Sequence, residues 1–405
     1  MPGQPTVSAT ARLENPRAGT EKWGHAEACY DRSVRAVLAL GLCGCSSIFG
    51  LKSPTPAVDA ATIDDVGDGA PDAPPDASSC LGSGELEVCF DAMPTGPTAV
   101  TGALDTGSPS APCATTVHWT SAAQPVACFI VGTDLTVGPA TIHGPKPIVL
   151  VATGSISFSG LVDLSSHNAS QTIGPGGNPT GCIASSLPAI NNNGGGGGAG
   201  ATGGTRGGGG GTGSNSAAGG VSDAVSAIDD LRGGCQGQAG ARGGGGQAGV
   251  PGFGGGALYA VAGDAIALGS ATIAANGAGA LQSQNRWGGS GGGAGGMIVL
   301  HAATITATAS AILVANGGGG ASGTDSGGGT PGSDPDPMMP LVPAPGGAGQ
   351  DDGGAGFAIG HAGQPGGDAA GGILSGAGGG GGGGSIRANV TIGNITASPA
   401  VVITP

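Results

Sequence analysis

Nine cysteines are the residues of this chain best suited to covalent chemistry. Three of them, Cys29, Cys43 and Cys45, lie close to the N-terminus, and the remaining six are Cys80, Cys89, Cys113, Cys128, Cys182 and Cys235. An even number of cysteines in an exported chain indicates disulfides. Sequence alone leaves the pairing open, but the shortest loops favour Cys80–Cys89, Cys113–Cys128 and Cys182–Cys235. Because no Cys-x-x-Cys pair or Cys/His cluster occurs, neither a metal site nor another cofactor is predicted.

Acid–base catalysis would need several ionisable side chains that converge on one site. Asp163 and Asp264 are the carboxylates that could meet if their segments stack, but isolated surface positions are the simpler interpretation. The histidines show no metal-ligand spacing and are interpreted as solvated: His118, His143, His167, His301 and His361. Trp119 and Trp287 could stack on sugar rings, although a structural role is favoured. The sequence therefore predicts no catalytic residues and a protein that is not an enzyme.

The composition also argues against an ordinary enzyme. Of 405 residues, 92 are Gly and 29 are Pro, whereas only 9% are charged and 3% are aromatic. Such a chain lacks most of the polar groups that build active sites. The 26 acidic residues outnumber the 12 basic ones, which excludes nucleic acid as an expected partner because phosphates require a basic surface.

A short segment near the N-terminus has the pattern of a secretory signal peptide. Arg32 and Arg35 precede the apolar run 36–42, which is followed by Cys43, Gly44 and Cys45. A basic region, a short apolar region and small residues at a cleavage site define such a signal, and the run is too short to span a bilayer. Residues 1–45 are thus predicted to be an N-terminal extension plus signal peptide. The start site is left open between Met1 and Val34, since residues 1–33 are polar and unpatterned.

The sequence Leu42-Cys43-Gly44-Cys45 resembles the lipobox of bacterial lipoproteins. The resemblance implies cleavage after Gly44 and lipid on the sulfur of Cys45, which would anchor the protein to a membrane through several acyl chains. Ser46 follows the cysteine; in lipoproteins an Asp at that position favours retention in the inner membrane. The expected location is therefore the outer membrane or cell surface of a Gram-negative bacterium. A plain signal peptide is the alternative.

Residues 46–79 are rich in proline and aspartate. Such self-repelling, proline-rich segments stay extended and solvated, so a disordered linker is predicted. Calcium binding by the closely spaced aspartates is a weaker alternative, because the segment lacks the ligand spacing of an EF-hand. Residues 80–127, which carry three of the cysteines, are predicted to form a cap or entry segment.

From residue 128 onward, stretches rich in Val, Ile and Thr occur at 129–142, 148–164, 257–275, 297–315 and 385–403. Ile156 and Phe158 alternate with serines, which is a half-buried strand pattern. The stretches also resemble one another: Ile-Val-Leu occurs at 148–150 and 298–300, and Ala-Asn-Gly at 275–277 and 315–317. Stacked repeats of this kind predict an all-β fold for residues 128–405, an irregular right-handed parallel β-helix. The Asn and Gly residues are expected at corners with positive φ.

Glycine tracts at 174–256, 288–296, 317–332 and 346–384 interrupt these stretches. Polyglycine has high backbone entropy and no side chain to bury, so long, flexible, solvated loops are the favoured interpretation. The alternative is a lattice of polyproline-II-like strands packed side by side with glycine inward. Collagen itself is excluded, since no strict Gly-X-Y period occurs.

The segments 42–50, 144–167 and 384–399 resemble glycine-rich, lipobox-bearing surface proteins encoded in myxobacteria-like genomes. The tracts also resemble those of mycobacterial PE-PGRS proteins superficially, but the N-terminal helical module of that family is missing. The first resemblance implies a cell-surface lipoprotein with a structural or adhesive display role, and extracellular polysaccharide or other surface proteins as partners. Two alternatives stay open: a carbohydrate-binding or polysaccharide-active β-helix, and a largely disordered glycine-rich matrix protein.

Overall fold

The computed structural model describes residues 79–182, 186–225, 229–243, 249–281, 286–325, 327–369 and 375–404. All of them belong to one compact unit, residues 73–405. The predicted signal peptide, the lipidation site Cys45 and nearly all of the linker 46–79 lie outside the described residues.

The described residues form β-strands and two short 3-10 elements, Gly84–Leu86 and Ser214–Ser216. The strands are β1 Cys80–Leu81, β2 Val88–Phe90, β3 Thr98–Asp105, β4 Val117–Trp119, β5 Cys128–Gly132, β6 Leu135–His143, β7 Ile148–Ala152, β8 Ile156–Phe158, β9 Leu161–Asp163, β10 Ala257–Ala262, β11 Ala265–Gly269, β12 Thr272–Ala274, β13 Met297–His301, β14 Thr304–Ala307, β15 Ile312–Val314, β16 Ser385–Ala388, β17 Thr396–Ser398 and β18 Val401–Ile403.

Six of these strands form a parallel sheet, here sheet 1, in the order β18-β16-β13-β10-β7-β5. Its strands are almost entirely apolar; all five residues of β7, Ile148–Ala152, are buried. Alternate residues face two different cores. Ile148 and Leu150 belong to the larger core beneath the sheet, whereas Val149 packs with Tyr259 and with Phe90 of the preceding segment. Burial on both faces explains why the sequence shows continuous rather than alternating apolar runs.

The second parallel sheet, here sheet 2, has the order β14-β11-β8-β6-β9-β12-β15-β17, with β3 paired to β6. The long strand β6 pairs with β8 through its first half and with β9 through its second half. At β8, sheet 2 has one buried face, as the alternation predicts: Ile156 and Phe158 are buried and Ser157 is exposed. At β12 all three residues, Thr272–Ala274, are buried. Ile156, Ile266 and Ile305 occupy one row across β8, β11 and β14 and enter the larger core.

A row of polar side chains follows the strands at one edge of sheet 2. Asn316 donates its backbone N–H to Oδ1 of Asn276 (2.8 Å), and the Ser398 hydroxyl donates to Oδ1 of Asn316 (2.6 Å). Neither asparagine has a positive φ, so the expectation of left-handed corners there is wrong. Both are buried instead, and their side chains tie successive rows together.

Within the described residues, much of the glycine-rich sequence is packed and hydrogen-bonded rather than solvated as loops. Backbone N–H groups donate to carbonyl oxygens of other tracts, as Gly198 does to Gly289 (2.8 Å) and Gly379 to Gly198 (2.9 Å), or of the same tract, as Gly197 does to Gly211 (2.8 Å). Most glycines of 194–200, 288–296 and 376–384 are buried. Such pairing satisfies buried peptide groups without water, so burial of these segments carries no hydrogen-bonding penalty.

The hydrogen bonds between tracts repeat every three residues. Gly198 and Ala201 donate to Gly289 and Gly292, which are also three residues apart. Gly289, Gly292 and Gly295 in turn donate to Gly376, Gly379 and Gly382. Three residues per turn is the period of a polyproline II helix, and glycine is required because an added Cβ would meet a neighbouring carbonyl at less than 3 Å at most of these positions.

The prediction of a right-handed parallel β-helix interrupted by long glycine-rich loops is therefore wrong. The chain is mostly β and its two large sheets are parallel, but a solenoid is not established, and the tracts are a second hydrogen-bonded architecture beside the sheets. The entropy cost of ordering polyglycine favours solvated loops, but here hydrogen bonds between packed backbones oppose that cost. Side-chain-free segments can approach closely enough to satisfy one another's peptide groups.

Three disulfides fasten the structure, and they join the cysteines that the short loops favoured. Cys80–Cys89 links β1 to β2, and Cys113–Cys128 ties the segment before sheet 1 to its edge strand β5. Cys182–Cys235 joins two segments of the glycine-rich region. A small antiparallel sheet, β1-β2-β4, contributes Phe90 and Val117 to the core above sheet 1.

Candidate functional site

A cleft of about 990 Å³ opens beside the turn between β6 and β7. Its walls come from that turn, from the end of β3, and from the segments 125–126, 171–181 and 230–232. Eight of the lining side chains carry polar groups: Asp105, His143, Gln171, Thr172, Asn178, Thr180, Asp230 and Arg232. Apolar surface comes from Pro125, Val126, Pro145, Pro147 and Pro179. This mixture of apolar walls with a few polar groups is typical of ligand sites.

The walls of the cleft are fixed by buried hydrogen bonds. Gln124 is 8% exposed; its Nε2 donates to the carbonyl of Asp229 (3.3 Å), and its Oε1 accepts the N–H of Leu231 (2.9 Å). On the opposite side, Gly176 donates to the carbonyl of Gly144 (2.9 Å). Gly176 has φ +69°, and a Cβ there would stand 2.7 Å from Pro147. The cleft is accordingly preformed by backbone contacts.

Two acid–base pairs lie in the cleft. Nδ1 of His143 is 3.8 Å from Oδ1 of Asp105, and Nε of Arg232 is 3.8 Å from Oδ1 of Asp230. Both distances exceed a hydrogen bond, so no direct N–H···O bond joins those atoms, and the Arg232 guanidinium offsets the charge of the nearby Asp230 carboxylate. Asn178 accepts the N–H of Gly254 through Oδ1 (2.7 Å), which orients its amide. The lining therefore combines hydrogen-bond acceptors with hydrogen-bond donors.

A second polar cluster joins β9 to a distant segment. Nε2 of His167 is 3.0 Å from Oδ2 of Asp163, and its Nδ1 is 3.6 Å from Oδ2 of Asp334. Asp334 also accepts N–H groups from Asn168 (3.1 Å) and Gly279 (2.7 Å). The hydrogen bond to Asp163, followed by that to Asp334, raises the pKa of His167 to about 10. A histidine that is cationic at neutral pH cannot act as a general base, so this cluster is an ionic clamp.

We expect the clamp to make stability depend on pH. The folded-state pKa of His167 lies above its ordinary value of 6.5, so its contribution is complete below about pH 6.5 and is lost as pH rises toward about 10. Urea unfolding of the wild type and of His167→Gln should therefore differ most near pH 6 and converge near pH 10. His167 is 37% exposed, and solvent screening keeps the difference modest. A difference independent of pH would contradict this assignment.

Most residues that the sequence singled out for chemistry do not converge. Asp163 lies in the clamp, whereas Asp264 is exposed in the turn between β10 and β11, where its N–H donates to Gly154. His118 lies near Asp91 (3.2 Å), and burial lowers the pKa of His301. Within the described ranges, no three His, Cys, Asp or Glu side chains are placed to hold a metal ion.

The tryptophans have structural positions. Trp119 packs edge-on against Phe129 and stacks on Tyr259, and its Nε1 donates to the carbonyl of Pro125 (3.0 Å). Trp287 is 3% exposed. Trp287 is therefore closed to solvent, and one ring face of Trp119 is covered by Tyr259.

Sequence reasoning missed both the cleft and the clamp. Asp334 contacts Asn168, which lies 166 positions away in the chain. The sequence analysis also did not select Asp351 as a candidate. Asp351 is 5% exposed, and its buried Oδ2 has no hydrogen-bond partner. Burial, followed by Asp368 and Asp352, raises the pKa of Asp351 to about 6. No local pattern marks these positions, because their partners come from distant segments.

Comparison of the chain with protein-family models, with curated proteins and with solved structures finds no match. In the part of the chain that the structure describes, no helix is long and apolar enough to cross a bilayer.

Proposed function

We propose that the chain is an exported, lipid-anchored protein of the bacterial cell surface whose glycine-rich body serves structural or adhesive display. The observation that carries the proposal is the oxidised state of the six cysteines from Cys80 onward, which form three disulfides. Disulfides persist in oxidising compartments outside the cytosol. The signal pattern before Cys45 supplies a route to such a compartment.

The packed glycine body supports a display role. Its hydrogen bonds run between backbones, and its buried glycines present few side chains that could react. Together with the disulfides, this architecture gives a stiff support for residues at its margins. The proposal assigns the protein no catalytic activity, and its membrane contact is the lipid on Cys45, with the outer membrane as the location.

The anchor is tested by Cys45→Ser in the full chain, expressed in a Gram-negative host. We expect the variant to lose incorporation of an alkyne-labelled fatty acid and to escape membrane fractions or remain unprocessed, because no thiol is left to carry the lipid. Cys43→Ser is the matched control, since it removes a thiol two positions earlier and should be labelled as the wild type is. Lipid labelling and membrane association of Cys45→Ser at wild-type levels would refute the proposal.

A further inference from the structure

We propose that the cleft beside the β6–β7 turn binds a neutral polysaccharide; this rests on the proposed adhesive role and names its ligand class. The cleft, about 990 Å³ in volume, is at the upper end of the range for ligand sites, roughly 300–1,000 Å³. Gln124 and the Gly144–Gly176 contact hold its walls in place, so a ligand would not have to order them on binding.

The hydrogen-bonding groups of the cleft match hydroxyls. A hydroxyl donates one hydrogen bond and accepts others, whereas a carboxylate only accepts and a guanidinium only donates. Asp105 and Asp230 supply acceptors, Arg232 supplies donors, and the Asn178 amide, already oriented through Oδ1, presents its NH₂ group. A row of hydroxyls can use both kinds of group at once, which neither a purely anionic nor a purely cationic ligand can do.

The apolar surface of the cleft fits the remaining face of a sugar ring. Pro125, Pro145 and Pro179 line the cleft together with Val126, which is 77% exposed. Proline rings and a valine side chain present C–H surface, and burying the C–H face of a pyranose against them removes apolar area from water. Selection of one sugar over another would come from the polar groups, because hydrogen bonds are directional and apolar contacts are not.

Charge selects a neutral polymer over an acidic one. The whole chain has a formal net charge of −14, which repels polyanions. Within the cleft the Asp230 carboxylate already has the Arg232 guanidinium 3.8 Å away, so a cationic peptide would have to compete with Arg232 for it. A neutral saccharide meets neither penalty.

The test is affinity electrophoresis of the detergent-solubilised full chain in native gels that contain galactomannan, dextran or xylan, with polygalacturonate as the acidic polymer. We expect at least one neutral polymer to retard the protein. Asp105→Ala and Asp230→Ala should each weaken that retardation at least tenfold, and Asp264→Ala, which removes an exposed carboxylate far along the chain, should leave it unchanged. Val126→Arg provides a second probe, because this exposed position tolerates a large side chain that would obstruct the cleft.

The proposal would be overturned if no neutral polymer retarded the protein, or if the cleft variants were retarded as strongly as the wild type. It would also be overturned if the protein bound only polygalacturonate, or only a fluorescent Lys-Pro peptide used as the cationic ligand. Thermal unfolding of each variant checks that it is folded. The experiment is independent of the anchor. If no polymer bound, the labelling experiment with Cys45→Ser would still test the lipid anchor. If Cys45→Ser were still labelled, the polymer experiment on the purified chain would still test the cleft.

Discussion

Replacing Gly208 or Gly210 with alanine will destabilise the protein strongly, whereas the same change at Gly209, between them, will not. An added Cβ at Gly208 would collide with the carbonyl of Gln364, and one at Gly210 with the carbonyl of Gly197. A Cβ at Gly209 would stand 3.6 Å from the carbonyl of Gly220, an ordinary contact. Backbone atoms cannot rotate away as side chains can, so we expect losses of about 3 kcal/mol at the two outer positions.

The middle position is the internal control. Alanine restricts the unfolded chain more than glycine does, which stabilises a protein by about 0.4–1 kcal/mol where the native conformation permits it. Gly209→Ala should thus be as stable as the wild type or slightly more stable in urea unfolding. Similar small effects at all three glycines would mean that these tracts are solvated loops after all.

The second large effect is expected in the core between the sheets. Ile156 and Ile305 lie in one row of sheet 2 with Ile266 between them, and all three are buried in the same core. An aspartate there would place an unpaired carboxylate in an apolar environment, so Ile156→Asp and Ile305→Asp should each cost about 4 kcal/mol or more. Both should lose the β signal in circular dichroism and become sensitive to protease, although 148 residues lie between them in sequence.

The neighbouring residues provide matched controls. Ser157 and Thr306 follow the two isoleucines directly and are exposed, so Ser157→Asp and Thr306→Asp should change the free energy of unfolding by about 0.5 kcal/mol or less. If all four variants behaved alike, the shared core would not exist in solution.

The sequence predicted the strands from β5 onward, because side chains carry that signal, whereas β3 of sheet 2 lies in the segment 80–127 that was predicted only as a cap or entry segment. Ile148-Val149-Leu150 and Ile298-Val299-Leu300, which look alike in sequence, both pair with Leu258-Tyr259-Ala260 of β10, one on each side. The alternation at 155–159 predicted which side chains of β8 are buried. Short loops were enough to favour the three disulfide pairs, since they leave each cysteine a partner close in the chain.

Only the tertiary structure decided what the glycine tracts do and where the cleft and the clamp lie. Consecutive glycines are identical, so no pattern distinguishes Gly208, where a Cβ would collide with the Gln364 carbonyl, from Gly209, where it would make an ordinary contact with Gly220. Likewise, Asp334 becomes a partner of His167 because backbone packing brings their segments together. By itself, the sequence predicted the strands from β5 onward and favoured the three cysteine pairs. The packing of the glycine tracts, the cleft and the clamp depended on contacts between segments up to about 180 residues apart, such as Thr205 with Gly383. Glycine has no side chain whose type would indicate which segment packs against it.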